Sequence, residues 1–278
     1  LQREEIDSWL TTREREQTYW ANQDMRWSYN ERRYKKLLQY HPGGILLYLY
    51  GNSGQVEHLF DLFRRVFEAI AEQGVNAEER GYLSGIVRRV DEQYYTDEWA
   101  KCCLLLYKKE LLQKPPLCLQ RLFFRHPDKM KMFLEENPSR SFDVENDYYL
   151  PEEAYQDKRA FDCWAECLYE EFPEILGYIM GKSCNGKDGA FPHEFIREFL
   201  EKQQNEKLTK AVFYGKFNSR GARIVQDGRT LYEQAKCYRA QARELRLKFP
   251  QSAKILLQLA KWMESEAQHD QLEAEIVP

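Results

Sequence analysis

The segment Gln55–Gln73 sets the strongest constraint on how this chain can fold. Val56, Leu59, Phe60, Phe63, Val66, Phe67 and Ile70 recur every third or fourth residue. That spacing lays them along one side of an α-helix; a strand, whose side chains alternate, would scatter them over both faces. Gly74 stands where a helix-ending glycine is expected. The pattern repeats in Ala77–Gln93, whose predicted buried face is Tyr82, Leu83, Ile86, Val87 and Val90. Thr96 then offers an N-cap, with Asp97 and Glu98 suited to the positive end of the next helix. That helix carries Trp99, Cys102, Cys103 and Leu106 and stops before Pro115 and Pro116.

Proline punctuates the rest of the chain. Pro42, Pro127, Pro151, Pro173, Pro192 and Pro250 each precede a helix-like run, as suits a residue whose missing N–H goes unused in the first helical turn. Their irregular spacing excludes a strict 34- or 40-residue repeat. Two long helices, Thr230–Phe249 and Gln251–Ile276, are expected to close the chain as an antiparallel pair. The pair resembles a tetratricopeptide-type helical hairpin, but no second matching unit accompanies it, so membership of that family is not implied. With only 14 Gly and 10 Pro, the chain lacks the turns of an all-β fold. The fold class expected is all-α, with packed helical hairpins or an irregular α-superhelix, and a short β-hairpin near 219–228 as its one strand candidate. An irregular stretch at Asn137–Leu150 divides an N-terminal helical region, 1–136, from a C-terminal one, 151–278, unless a single continuous domain runs through it.

A net charge of -4 excludes a global attraction to nucleic acid or anionic membrane, so any such binding must be local. No apolar run approaches the roughly 20 residues that span a bilayer. Seven cysteines, with no regular framework, fit reduced thiols and a cytoplasmic setting, and no secretory signal opens the sequence.

The motifs that carry chemistry fall short. Gly177, Gly181, Lys182 and Ser183 suggest a phosphate loop, but three residues separate the glycines where that motif needs four, and a helix precedes them. The expected reading is a helix end with a glycine cap and a loop lysine. Cys163 and Cys167 share a helix face and form half a metal site with no other half, so they are assigned to the core beside Phe161, Trp164 and Leu168. His193 could act as an acid or base with Glu194 or Asp188; the structural alternative is a histidine bonding a free backbone group at a helix entry. No catalytic residue, metal or cofactor is assigned.

Charge is strongly segregated. Between Lys216 and Lys248 stand nine basic and three acidic residues, a balance of +6; between Asp128 and Glu174, fourteen acids face five bases, a balance of -9. Lys216, Arg220, Arg223, Arg239, Arg243 and Arg246 are the candidate binding residues, the last three on one helix face. An aromatic-rich start, from Trp9 to Tyr40, is core material or a recognition surface. The function expected is a non-enzymatic intracellular helical module that binds another protein, as an adaptor, regulatory subunit or sensor surface. The alternative is nucleic-acid binding through 216–248.

Overall fold

The computed structural model describes residues 42–219 and 229–276, which form two compact units, one ending at Leu119 and one beginning at Gln120. The described residues are helical, without a strand. The segment proposed for a β-hairpin, 219–228, lies outside them beyond Ser219, as does the aromatic-rich start.

The first unit is built from α1 (Leu46–Gly51), α2 (Val56–Gln73), α3 (Ala77–Asp91) and α4 (Asp97–Lys108). The apolar stripe of α2 is buried as its spacing requires: Val56, Leu59, Phe63, Val66, Phe67 and Ile70 are in the core, joined by Leu62, while Phe60 stays half-buried. Each such side chain taken fully from water contributes about 1.5–3 kcal/mol before entropy is counted. Phe63 and Phe67 close on Trp99 of α4, with ring centroids 6.0 and 5.5 Å away. Gly74 ends α2 at φ +79°, a conformation that favours glycine, and its N–H donates to the Ile70 carbonyl at 2.8 Å. Asn76 and Glu79 cap α3 reciprocally, and the Thr96 hydroxyl accepts from the Trp99 N–H at 3.1 Å to start α4.

The helix α5 (Leu117–Arg125) leads into the second unit, which continues with α6 (Pro127–Glu136), α7 (Ser141–Asp147), α8 (Lys158–Tyr169), α9 (Pro173–Gly181), α10 (Glu194–Gln203), α11 (Glu206–Asn218), α12 (Arg229–Leu245) and α13 (Pro250–Ile276). Pro127, Pro173 and Pro250 open helices. Pro151 opens only the short 3-10 turn Glu152–Tyr155; the α-helix beyond it is started by Asp157, whose carboxylate accepts from the Arg159 and Ala160 N–H groups. The stretch Asn137–Leu150 contains a helical turn, Pro138–Arg140, and α7. Among its described side chains Val144, Tyr148 and Leu150 are buried, and the Tyr148 hydroxyl donates to the Gln120 carbonyl at 2.9 Å. A seven-residue helix in so polar a segment leaves no helical stripe to read.

Glycines bring α9 close against α11. A Cβ on Gly177 would lie 2.5 Å from that of Ala211, one on Gly181 would lie 2.3 Å from the Val212 carbonyl oxygen, and one on Gly215 would lie 2.2 Å from the Tyr178 carbonyl oxygen. The glycines that imitated a phosphate loop therefore let two helix backbones touch. The chain closes on the α12–α13 hairpin, whose seam is Leu231, Ala235, Ala260, Met263 and Ala267. Its connection is longer than the two-residue break expected, because α12 ends at Leu245.

Candidate functional site

Three groups of chemistry-bearing side chains stand out, one in the first unit and two in the second. In the first unit, Asp91, Cys103 and Cys118 are all buried, and a carboxylate oxygen and two sulfurs lie within 4.8 Å of one another. Such spacing suits a soft divalent ion. The carboxylate is already engaged: Trp99 Nε1 donates to Oδ1 at 2.8 Å, and the Cys118 backbone N–H donates to Oδ2 at 3.2 Å. Burial raises the carboxyl above its ordinary range, against the opposing pull of those donors, and burial likewise pushes the Cys103 and Cys118 thiols up. Protonated thiols are poor metal ligands and poor nucleophiles. The trio acts as a hydrogen-bonded knot that holds the end of α3 against α4 and the start of α5. Sequence reasoning missed it because Asp91, Cys103 and Cys118 have no motif spacing. The cysteine pair that drew attention, Cys163 and Cys167, is not core: Cys163 is exposed and Cys167 half-buried on the outer side of α8. Phe161, Trp164 and Leu168 take the inner face of that helix.

In the second unit, the loop 182–193 gathers the residues weighed as an acid–base group. His193, 4% exposed, is the N-cap of α10, and its Nδ1 accepts from the Phe195 N–H at 3.3 Å. That bond puts the ring proton on Nε2, which faces Glu194 Oε2 at 3.4 Å. Glu194 also accepts from the Lys187 N–H at 3.2 Å. Asp188 is gripped at both oxygens by Arg197, at 2.7 and 2.8 Å, and the Arg197 side chain is 2% exposed. Gly186 lies so close that a Cβ there would come within 2.5 Å of Arg197 Nη2 and Glu194 Oε2. Burial lowers the His193 imidazole, and the Arg197 contact holds the Asp188 carboxyl below its usual range. The groups come together, but each is engaged by another, so the arrangement ties the loop to α10.

Lys182, at the end of α9, donates to the Glu145 carbonyl at 2.5 Å and lies 4.8 Å from the Tyr149 ring centroid. It serves the free carbonyl end of α7. Burial pulls its amine down to about 7, against the Asp147 and Glu145 carboxylates.

The basic segment divides into occupied and open cations. Arg239 clasps Glu264 of α13, and Lys236 pairs with Glu233 at 2.7 Å. Lys216 is half-buried, 4.5 Å from the Phe191 ring centroid. Arg220 and Arg223 lie outside the described residues. Arg243 and Arg246 are exposed, with no acid at ion-pair distance among the described residues. Around the hairpin connection runs an open groove of about 380 Å³, lined by Arg246, Pro250, Ala253, Lys254, Leu257, Gln258 and Lys261. Lys254 and Lys261 fall outside the segment that sequence charge counting singled out. Within the acidic segment, Glu171 pairs with Lys131 and Asp162 with Lys158, both short contacts along or between neighbouring helices.

The fold and these residues define an all-α protein with a cationic, partly apolar groove on its terminal hairpin. Comparison with protein-family models, with characterised proteins and with solved structures finds no match. Among the described residues no helix is long and apolar enough to cross a membrane.

Proposed function

We propose that this chain is a helical protein–protein interaction module, an adaptor, regulatory subunit or sensor surface, whose docking face is the α12–α13 hairpin. The observation that carries the reading is the groove at the hairpin connection, where Arg246, Lys254 and Lys261 converge with no acid among the lining residues. Cations left in water beside exposed apolar surface favour a complementary partner and raise its rate of encounter. The other chemical groupings are engaged by their own neighbours, Asp91 by Trp99 and Cys118, Asp188 by Arg197.

The test is parallel capture from the chain's native cell, using the parent and a variant with Arg246→Glu, Lys254→Glu and Lys261→Glu. The expected result is a protein that co-purifies with the parent, survives nuclease treatment and is lost with the variant. A co-purifying species that nuclease removes would replace this reading with nucleic-acid binding; the same proteins on both baits would reject the groove as the docking face.

A further inference from the structure

The groove also specifies what it would hold. Lys254, Leu257, Gln258 and Lys261 fall at helical spacing on one exposed face of α13. The two lysines are seven residues apart, about 10 Å along the axis at 1.5 Å per residue. Leu257 lies between them, 46% exposed, and Pro250 and Ala253 extend the apolar floor toward Arg246 at the end of α12. Leu247, next to Arg246, is 90% exposed. Acids nearby are held elsewhere: Glu206, which feels Lys254, is bound by Lys210 at 3.1 Å, and Glu264 is clasped by Arg239.

Resting on the reading of the hairpin as a docking face, we infer that its groove takes an acidic amphipathic helix from a partner protein. Carboxylates one to two turns apart on that helix face Arg246, Lys254 and Lys261, and an apolar side chain between them covers Leu257. Charge complementarity argues for the acids, and the exposed leucines argue for the apolar residue. A phosphodiester backbone would satisfy the cations but leave Leu257 in water, where apolar surface gains nothing from binding.

The experiment is fluorescence anisotropy with the full chain and three labelled probes: an acidic peptide with leucines at helical spacing, the same peptide with those leucines changed to serine, and a single-stranded oligonucleotide. The proteins are the parent, Lys254→Glu with Lys261→Glu, and Leu257→Ser. All three positions are exposed, and circular dichroism on heating checks that each variant folds as the parent does. The leucine-bearing peptide is expected to bind the parent most tightly, to weaken about tenfold or more on the double charge reversal, and to weaken severalfold on Leu257→Ser. Equal binding of both peptides, with Leu257→Ser silent and the charge reversal still effective, would overturn the inference and leave the docking face standing. Tighter binding of the oligonucleotide through the same lysines, or no binding of either peptide, would overturn both.

Discussion

Arg239 holds Glu264 through two hydrogen bonds, Nε to Oε1 at 2.7 Å and Nη2 to Oε2 at 2.5 Å, and so joins α12 to α13 across their seam. The pair removes Arg239 from the cations open to a partner, while Arg243 in the same helix and Arg246 just beyond its end remain exposed. Arg239→Ala is therefore expected to lower the thermal midpoint slightly and leave partner binding unchanged, and Arg246→Ala to do the reverse. Melting curves and affinities of the two variants, read side by side, check this.

The contact between α9 and α11 reverses the usual sign of a glycine substitution. Replacing a helical glycine by alanine ordinarily stabilises by about 0.5–1 kcal/mol. Gly81 of α3 is exposed with nothing within 4 Å of a Cβ, so Gly81→Ala is expected to raise stability by about that amount. Gly215→Ala would drive a methyl against the Tyr178 carbonyl, and a loss of about 1–3 kcal/mol is expected. Urea unfolding of both variants checks the signs; a gain from Gly215→Ala would mean that the helices stand farther apart.

Much of this fold is legible in the sequence, and the reason is the length of its stripes. The seven apolar positions of α2 agree with one another, as do Thr96, Pro127 and Pro173 with the helices they start. What was not legible depends on pairs distant in sequence. Gly177 and Gly181 acquire their meaning from Ala211, Val212 and Gly215 on another helix. Asp91, Cys103 and Cys118 meet only when α3, α4 and α5 pack. The seven residues of α7 are too few to show a period. Charge counting found Arg246 but not Lys254 and Lys261, because the groove borrows one wall from the next helix.

Asp91 makes the first unit sensitive to pH in a definite direction. Burial raises its folded-state carboxyl above the ordinary value. Its contribution to stability is thus fully present below the unfolded carboxylate range and is lost as pH rises through the raised folded value. Asn at this position keeps the shape but presents an amide N–H to one of two donors, Trp99 Nε1 or the Cys118 N–H, so Asp91→Asn should cost about 1–3 kcal/mol. The cost relative to the parent should be smaller near neutral pH than in mild acid, because only the parent ionises. Urea midpoints of both proteins across that range test it, and a cost that grows with pH would contradict the assignment.

His193 has the opposite dependence in the second unit. Its folded imidazole is lowered by burial, with Arg197 and Lys187 adding to the effect and Glu194 and Asp188 opposing it. Stability from this group is present above the ordinary imidazole value and falls as pH drops from there toward the lowered folded value. Protonation would also convert Nδ1 from the acceptor of the Phe195 N–H into a donor, breaking the cap of α10. His193→Asn, which keeps a capping oxygen, should lose this part of the acid sensitivity. Melting temperatures of parent and variant between neutral and mildly acidic pH check it; parallel curves would show that His193 does not titrate on unfolding.

The docking face is tested most directly by lysine acetylation footprinting of the chain, free and within the assembly captured from its own cell. Lys254 and Lys261 should be protected from the reagent in the assembly, while Lys101 and Lys236, exposed and outside the groove lining, label equally in both states. Equal labelling of Lys254 and Lys261, free and assembled, would contradict the claim that the terminal hairpin is where this protein meets its partner.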